Sequence, residues 1–136
     1  MPKKAKPEGY LTFQIILVGD DCQDRKPQQI ILVGETQSFR HVARRLPLRT
    51  GEDRVVEVGS SYGDTLCVLD KRSGGLALGL EKSAECVRAT GGRFPQLAGR
   101  VRQCNCLTPE GAEMVRSAAE GAAAAFVDIG GDRHAE

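Results

Sequence analysis

The stretch Val55–Gly63, VVEVGSSYG, decides how this chain is read. It is an apolar run carrying an acid, Glu57, and it passes into a glycine turn from Gly59 to Gly63. A helix-compatible segment begins at Asp64. A strand that delivers a tight turn into a helix is how an open α/β sheet makes a nucleotide-sized crevice. Eighteen residues after Gly63 a second apolar run, Leu76–Leu80, ends in another acid, Glu81. A carboxylate at the tip of the second strand has acceptor oxygens for two neighbouring ribose hydroxyls.

Working outward, strand-like and helix-like segments alternate from Arg54 onward. The pattern predicts a strand over Val55–Val58 and a helix over Thr65–Lys71 closed by Gly74-Gly75. Next come a strand over Leu76–Leu80 and a helix over Ser83–Thr90 with Gly91-Gly92 as its stop. A strand over Val101–Cys104 follows. Thr108-Pro109-Glu110 then reads as a helix start, with Thr as cap, Pro in the first turn and a carboxylate on the positive end. That helix is expected over Pro109–Glu120, and a last strand over Ala124–Ile129 with Asp128 near its end. Four βα-type units imply an α/β fold with a parallel, Rossmann-like sheet and flanking helices.

The N-terminal part is different. Residues 1–9 are a polar tail with Lys3, Lys4 and Lys6, expected to be disordered. Residues 10–53 contain IILVG twice, at Ile15–Gly19 and Ile30–Gly34, separated by the polar DDCQDRKPQQ. Two β-branched runs around a turn-forming connection predict an antiparallel hairpin. Ser38 is expected to cap a helix with Phe39, Val42, Ala43 and Leu46 on one face, ended by Pro47. Residues 54–136 form the nucleotide-type domain.

Composition narrows the function. The 136 residues fit one modest domain, with 40% apolar and 27% charged residues. Residues 1–54 hold ten basic and seven acidic side chains (net +3), and residues 55–136 nine and eleven (net −2), giving +1 overall. No apolar run approaches the roughly 20 residues of a bilayer span, and no apolar h-region follows the N-terminal lysines. The expectation is therefore an intracellular protein, cytoplasmic or nuclear and not secreted. Five cysteines, an odd number without framework spacing, read as reduced thiols. Cys104-Asn105-Cys106 is the only close pair, and His41 and His134 are isolated, so no metal site is expected.

In a parallel open sheet ligands bind beyond the carboxyl ends of the strands. Glu57, Gly59, Ser61, Gly63, Glu81, Asn105 and Asp128 fall at or just past such ends. Gly59 and Gly63 are expected to let backbone approach a ligand. The N–H groups opening the helix at Asp64 and Thr65 suit a carboxylate. A dinucleotide site would show GxGxxG, whose second glycine admits the pyrophosphate. Here Ser60 and Ser61 occupy the interior of the turn, which disfavours a nicotinamide oxidoreductase domain.

The pattern Glu57-x-Gly59-x-x-x-Gly63 instead resembles the first motif of the class I S-adenosylmethionine-dependent methyltransferases. The resemblance covers about Arg54–Arg133 and implies S-adenosyl-L-methionine as cofactor. It implies that Glu57 helps to hold the loop and the methionyl ammonium, that Gly59 and Gly63 surround the methionyl part, with Ser61 of the cofactor loop where a central glycine is commonest, and that Glu81 binds the ribose. Asn105 resembles the position that meets the adenine edge, where Asp is more usual. Val127–Gly131, VDIGG, resembles the family's fourth-strand motif, which places Asp128 near the methyl acceptor.

The acceptor itself (RNA, protein or small molecule) is not written in the chain. Arg40, Arg44, Arg45 and Arg49 permit an RNA, but with aromatics at 4% base stacking has little support. The family's sheet typically has seven strands, and this sequence reaches Glu136 after the fourth. The expectation is a truncated product or fragment, with a half-domain completed by a partner or dimer, or a degenerate protein, as alternatives. On its own it is expected to be marginally stable and self-associating. A non-catalytic Rossmann-like interaction module is the rival reading of its function.

Overall fold

A computed structural model describes residues 13–20 and 27–129, with side chains described from Glu35 to Ile129. The lysine tail, residues 21–26 of the polar connection with Cys22, and the Gly130-Gly131 end of the last motif lie outside the described residues. The chain falls into two compact units, Met1–Val42 and Ala43–Glu136.

In the first unit, β1 (Phe13–Asp20) and β2 (Pro27–Gly34) pair antiparallel, with Ile15 opposite Leu32 and Leu17 opposite Ile30. The two IILVG runs thus face each other as the repeat predicts. Helix α1 (Thr36–Arg45) begins two residues before Ser38, with the Phe39 N–H donating to the Glu35 carbonyl. Ser38 therefore lies inside the helix and is not its cap. Pro47 follows shortly after the helix ends, as proline does where a helix cannot continue.

The second unit is built on β3 (Val55–Val58), β4 (Ala77–Glu81), β5 (Val101–Gln103) and β6 (Ala124–Val127). They form one parallel sheet in the order β5-β4-β3-β6. Between them run α2 (Asp64–Ser73), α3 (Ala84–Arg93) and α4 (Pro109–Ala119). The chain steps outward from β3 to β5 and then returns to the other side of β3 with β6. That reversal makes the gap between β3 and β6 the topological switch point of a doubly wound sheet.

The two faces are distinguished by alternation along the strands. Val56, Val58 and Leu80 pack with Met114 and Val115 of α4. The intervening positions face α2, where Leu66 reaches Gly79: a Cβ at 79 would lie 2.7 Å from Leu66 Cδ2. Leu66, Leu69 and Leu80 are fully buried, each contributing about 1.5–3 kcal/mol relative to exposure.

Two helix ends differ in how well their glycines mark them, and the second bears on the site. Helix α2 closes where Gly74 and Gly75 take left-handed backbone, and their N–H groups bond the Lys71 and Asp70 carbonyls. Helix α3 runs through Gly91-Gly92 to Arg93, past its expected stop. Its true terminator is Pro95, which pushes Phe94 to φ −130° and opens a short 3-10 turn, Pro95–Leu97. The extra turn brings Arg93 into reach of the β3–α2 connection.

Candidate functional site at the strand tips

The β3–α2 turn is held by residues far from it in sequence. Gly59 continues the sheet, its N–H donating to the Leu80 carbonyl at 2.8 Å. Gly59, Ser61 and Gly63 all have positive φ, at 84°, 51° and 88°. Such backbone is free for glycine and costs about 1–2 kcal/mol for serine, so something must impose it on Ser61. Its N–H donates to Glu81 Oε1 at 3.0 Å, and its carbonyl accepts from Thr90 Oγ1 at 3.2 Å. Arg93 ties down the next residues, donating to the Tyr62 carbonyl at 3.0 Å and to Asp64 Oδ1 at 2.8 Å. The bond from Asp64 keeps the Arg93 guanidinium more firmly protonated than usual.

The glycines serve this scaffold directly. A Cβ on Gly59 would strike the Asp128 carbonyl oxygen, so the end of β6 crosses where that side chain would stand. A Cβ on Gly63 would come within 2.5 Å of Thr90 Cγ2. At both positions the space that a side chain would need is taken by the protein's own atoms.

Among the expected site residues, the structure brings Gly59 against Asp128, Ser61 against Glu81, and Gly63 against Thr90. Glu81 is half-buried and bridges two backbone amides, with Oε2 accepting from the Ser83 N–H at 2.5 Å. Glu57 is placed differently from a rim residue. It is the third residue of β3 and only 3% exposed, flanked in register by Gly79 and Phe126. On the Gly79 side the space is filled by Leu66 and by Ser60, which is itself buried.

Asn105 follows β5 closely. The Cys104 N–H donates to the Glu81 carbonyl at 2.8 Å, which sets Asn105 just past the β4 tip. Its own loop occupies it: Oδ1 accepts from the Leu107 N–H at 3.1 Å, and its carbonyl accepts from Thr108 Oγ1 at 2.9 Å. Thr108 in turn caps α4 by accepting from the Gly111 N–H at 3.0 Å, as its Thr-Pro-Glu sequence predicts.

Asp128 is half-buried beside the switch point, with its N–H on the Val58 carbonyl at 2.9 Å. On the far side of β6 no described strand pairs, and Val127 and Ile129 are 57% and 49% exposed. The first turn of α2 has no side-chain cap, its N-cap being Gly63. Sequence reasoning missed Thr90 and Arg93: neither belongs to a motif, and both matter only because α3 lies against the turn.

Among the described residues no cluster of three or more His, Cys, Asp or Glu is placed to hold a metal ion. No helix among them is long and apolar enough to cross a membrane.

No family model matches the chain, and neither does any curated protein. Two solved structures are similar to part of it. One is an S-adenosylmethionine-dependent methyltransferase from Thiobacillus denitrificans in complex with S-adenosyl-L-homocysteine. It is 24% identical over 53% of this chain and 30% of that one, with a TM-score of 0.41. The other is YjhP from E. coli, 22% identical over 49% of this chain and 28% of that one, with a TM-score of 0.37. The matched region therefore spans less than a third of either protein's length.

Proposed function

We propose that the second unit binds S-adenosyl-L-methionine and belongs to an enzyme that transfers its methyl group to a nucleophile. One observation carries the reading. The Glu57-x-Gly59-x-x-x-Gly63 turn stands at the carboxyl end of β3, beside the switch point, and is hydrogen-bonded to the acid at the tip of the neighbouring strand.

The residues present fit the group. Each Glu81 oxygen accepts one backbone N–H, and a carboxylate has about four acceptor sites in all. Two remain for a pair of ribose hydroxyls. The uncapped first turn of α2 offers N–H groups to an amino-acid carboxylate. Gly59 and Gly63 shape the turn, and Glu57 lies buried in β3 two residues before it. Asn105 keeps its side-chain amide nitrogen for an adenine edge.

When bound, S-adenosyl-L-methionine supplies an electrophilic sulfonium methyl. The chain's own task is placement, since holding nucleophile and methyl in line removes much of the entropic barrier. Asp128, at the end of β6 and against Gly59, is the residue assigned to face the acceptor.

Calorimetric titration of the purified chain with S-adenosylmethionine, S-adenosylhomocysteine and NAD tests the reading. The first two should compete for one site, and Glu81→Ala should weaken both at least roughly tenfold, the loss of about 1.4 kcal/mol. A preference for NAD would overturn it in favour of an oxidoreductase domain. The exposed Val127 of β6 and Ile129 just past it support a second reading, a non-catalytic module that docks a partner there. A well-folded chain that binds neither sulfur nucleoside would favour that reading.

A further inference from the structure

We infer that Thr90 of α3 is a positioning residue for the ligand turn, acting only through Ser61 and Gly63. The inference rests on the reading of that turn as the nucleoside site. Thr90 is fully buried, at 0% exposure, so it touches no ligand. Its two functional atoms nonetheless meet the two residues that give the turn its shape. The methyl Cγ2 fills the space over Gly63. The hydroxyl shares its single proton between the Cys86 carbonyl at 2.8 Å, one helical turn back, and the Ser61 carbonyl at 3.2 Å.

Ser61 is thus gripped at both ends of its own residue, by Glu81 at the N–H and by Thr90 at the carbonyl. This pair of bonds opposes the unfavourable left-handed φ of 51°. Releasing either end lets Ser61 relax toward ordinary backbone. Its N–H then leaves Glu81, and the acid loses the orientation it needs for a ribose. A residue on a different helix, with no exposed atom, would in this way set the affinity of the site.

Two variants separate the hydroxyl from the methyl. Thr90→Val keeps the shape and removes the bond to Ser61, whereas Thr90→Ser keeps the bond. In the ligand-free protein, amide hydrogen exchange at Ser61 should quicken roughly 3- to 10-fold in Thr90→Val, the span expected for one lost hydrogen bond. Exchange at Val56 and Leu80 should be unchanged, and Thr90→Ser should restore most of the protection at Ser61. The dissociation constant for S-adenosylhomocysteine should rise by a similar factor in Thr90→Val and less in Thr90→Ser. Unchanged Ser61 exchange in Thr90→Val, or equal quickening at Val56 and Leu80, overturns the inference, as does unchanged affinity. If the parent chain binds no S-adenosylhomocysteine, the methyltransferase reading fails and the exchange result alone decides the role of Thr90.

Discussion

The β3–α2 turn and the β5–α4 loop do the same topological job, and they are built in opposite ways. Each leaves the tip of a parallel strand and starts a helix. The loop is held by its own neighbours: Asn105 and Leu107 are two residues apart, and Thr108 is three from both Asn105 and Gly111. The turn is held from a distance, with Ser61 bonded to Glu81 20 residues away and to Thr90 29 residues away. A loop closed by local bonds can form before the sheet exists. A turn closed by β4 and α3 takes its shape only once the whole unit has folded, so its order reports on the tertiary structure. The turn is therefore more sensitive than the loop to changes elsewhere in the unit.

The largest effect should come from breaking the turn outright. Gly59→Ala adds a Cβ that collides with the Asp128 carbonyl and also places a side chain at φ 84°. Strain and overpacking together should cost about 3–5 kcal/mol, read as a fall in the urea midpoint with an unchanged slope. A loss below about 1 kcal/mol would mean that the end of β6 does not cross Gly59 as described. Second in size is Glu81→Gln, which leaves one of two backbone donors facing an amide instead of an oxygen. It should cost about 1–3 kcal/mol and quicken exchange at both Ser61 and Ser83. Quickening at Ser83 alone would show that the acid organises its own strand end and leaves the turn untouched.

The same contrast separates what was legible in the sequence from what was not. Thr108-Pro109-Glu110 named its helix start because cap, proline and acid all act within one turn of backbone. Gly74-Gly75 likewise marked the end of α2. The alternating βα pattern was sufficient for the parallel sheet, since the strands are short, each is followed by its own turn signals, and β3, β4 and β6 are mostly apolar. Gly91-Gly92 misled, because glycine permits a helix end without requiring one, while Pro95 two residues beyond Arg93 enforces it. The glycines of the turn stand out in the sequence, but the packing against them does not. Their missing side chains make room for Asp128 and Thr90, residues that only the tertiary fold brings there. Glu57 does stand near the carboxyl end of its strand, but its burial is not legible there: β3 is buried along its whole length because strands and helices cover it.

On the loop, Asn105→Ala should act locally. It removes the Oδ1 acceptor for the Leu107 N–H and should cost about 0.5–1 kcal/mol. Exchange at Leu107 should rise while Ser61 stays protected. Quickening at Ser61 would show that the two connections are coupled through the Cys104–Glu81 backbone bond, and the contrast between them would shrink.

The smallest effect should appear at alkaline pH, and again in the loop rather than the turn. Cys104 lies beneath the loop, buried, with its Sγ 3.5 Å from the Gly111 carbonyl. Burial pushes its thiol above the usual range, and the neighbouring Cys106 adds to the shift. A group whose acid form is favoured by folding contributes its stability fully below the unfolded-state pKa, about 8.5 for a thiol. That contribution fades as pH rises through the higher folded-state value. Raising the pH from 8 to 10 should therefore lower the stability of the parent chain slightly more than that of Cys104→Ala, in urea titrations run in parallel. Iodoacetamide at pH 8 should meanwhile modify Cys104 far more slowly than the half-exposed Cys67 and Cys86, because the thiolate is the reacting form and Cys104 resists it. Equal alkylation of all three would mean that the loop opens readily from its underside, and that local bonds alone do not keep it closed.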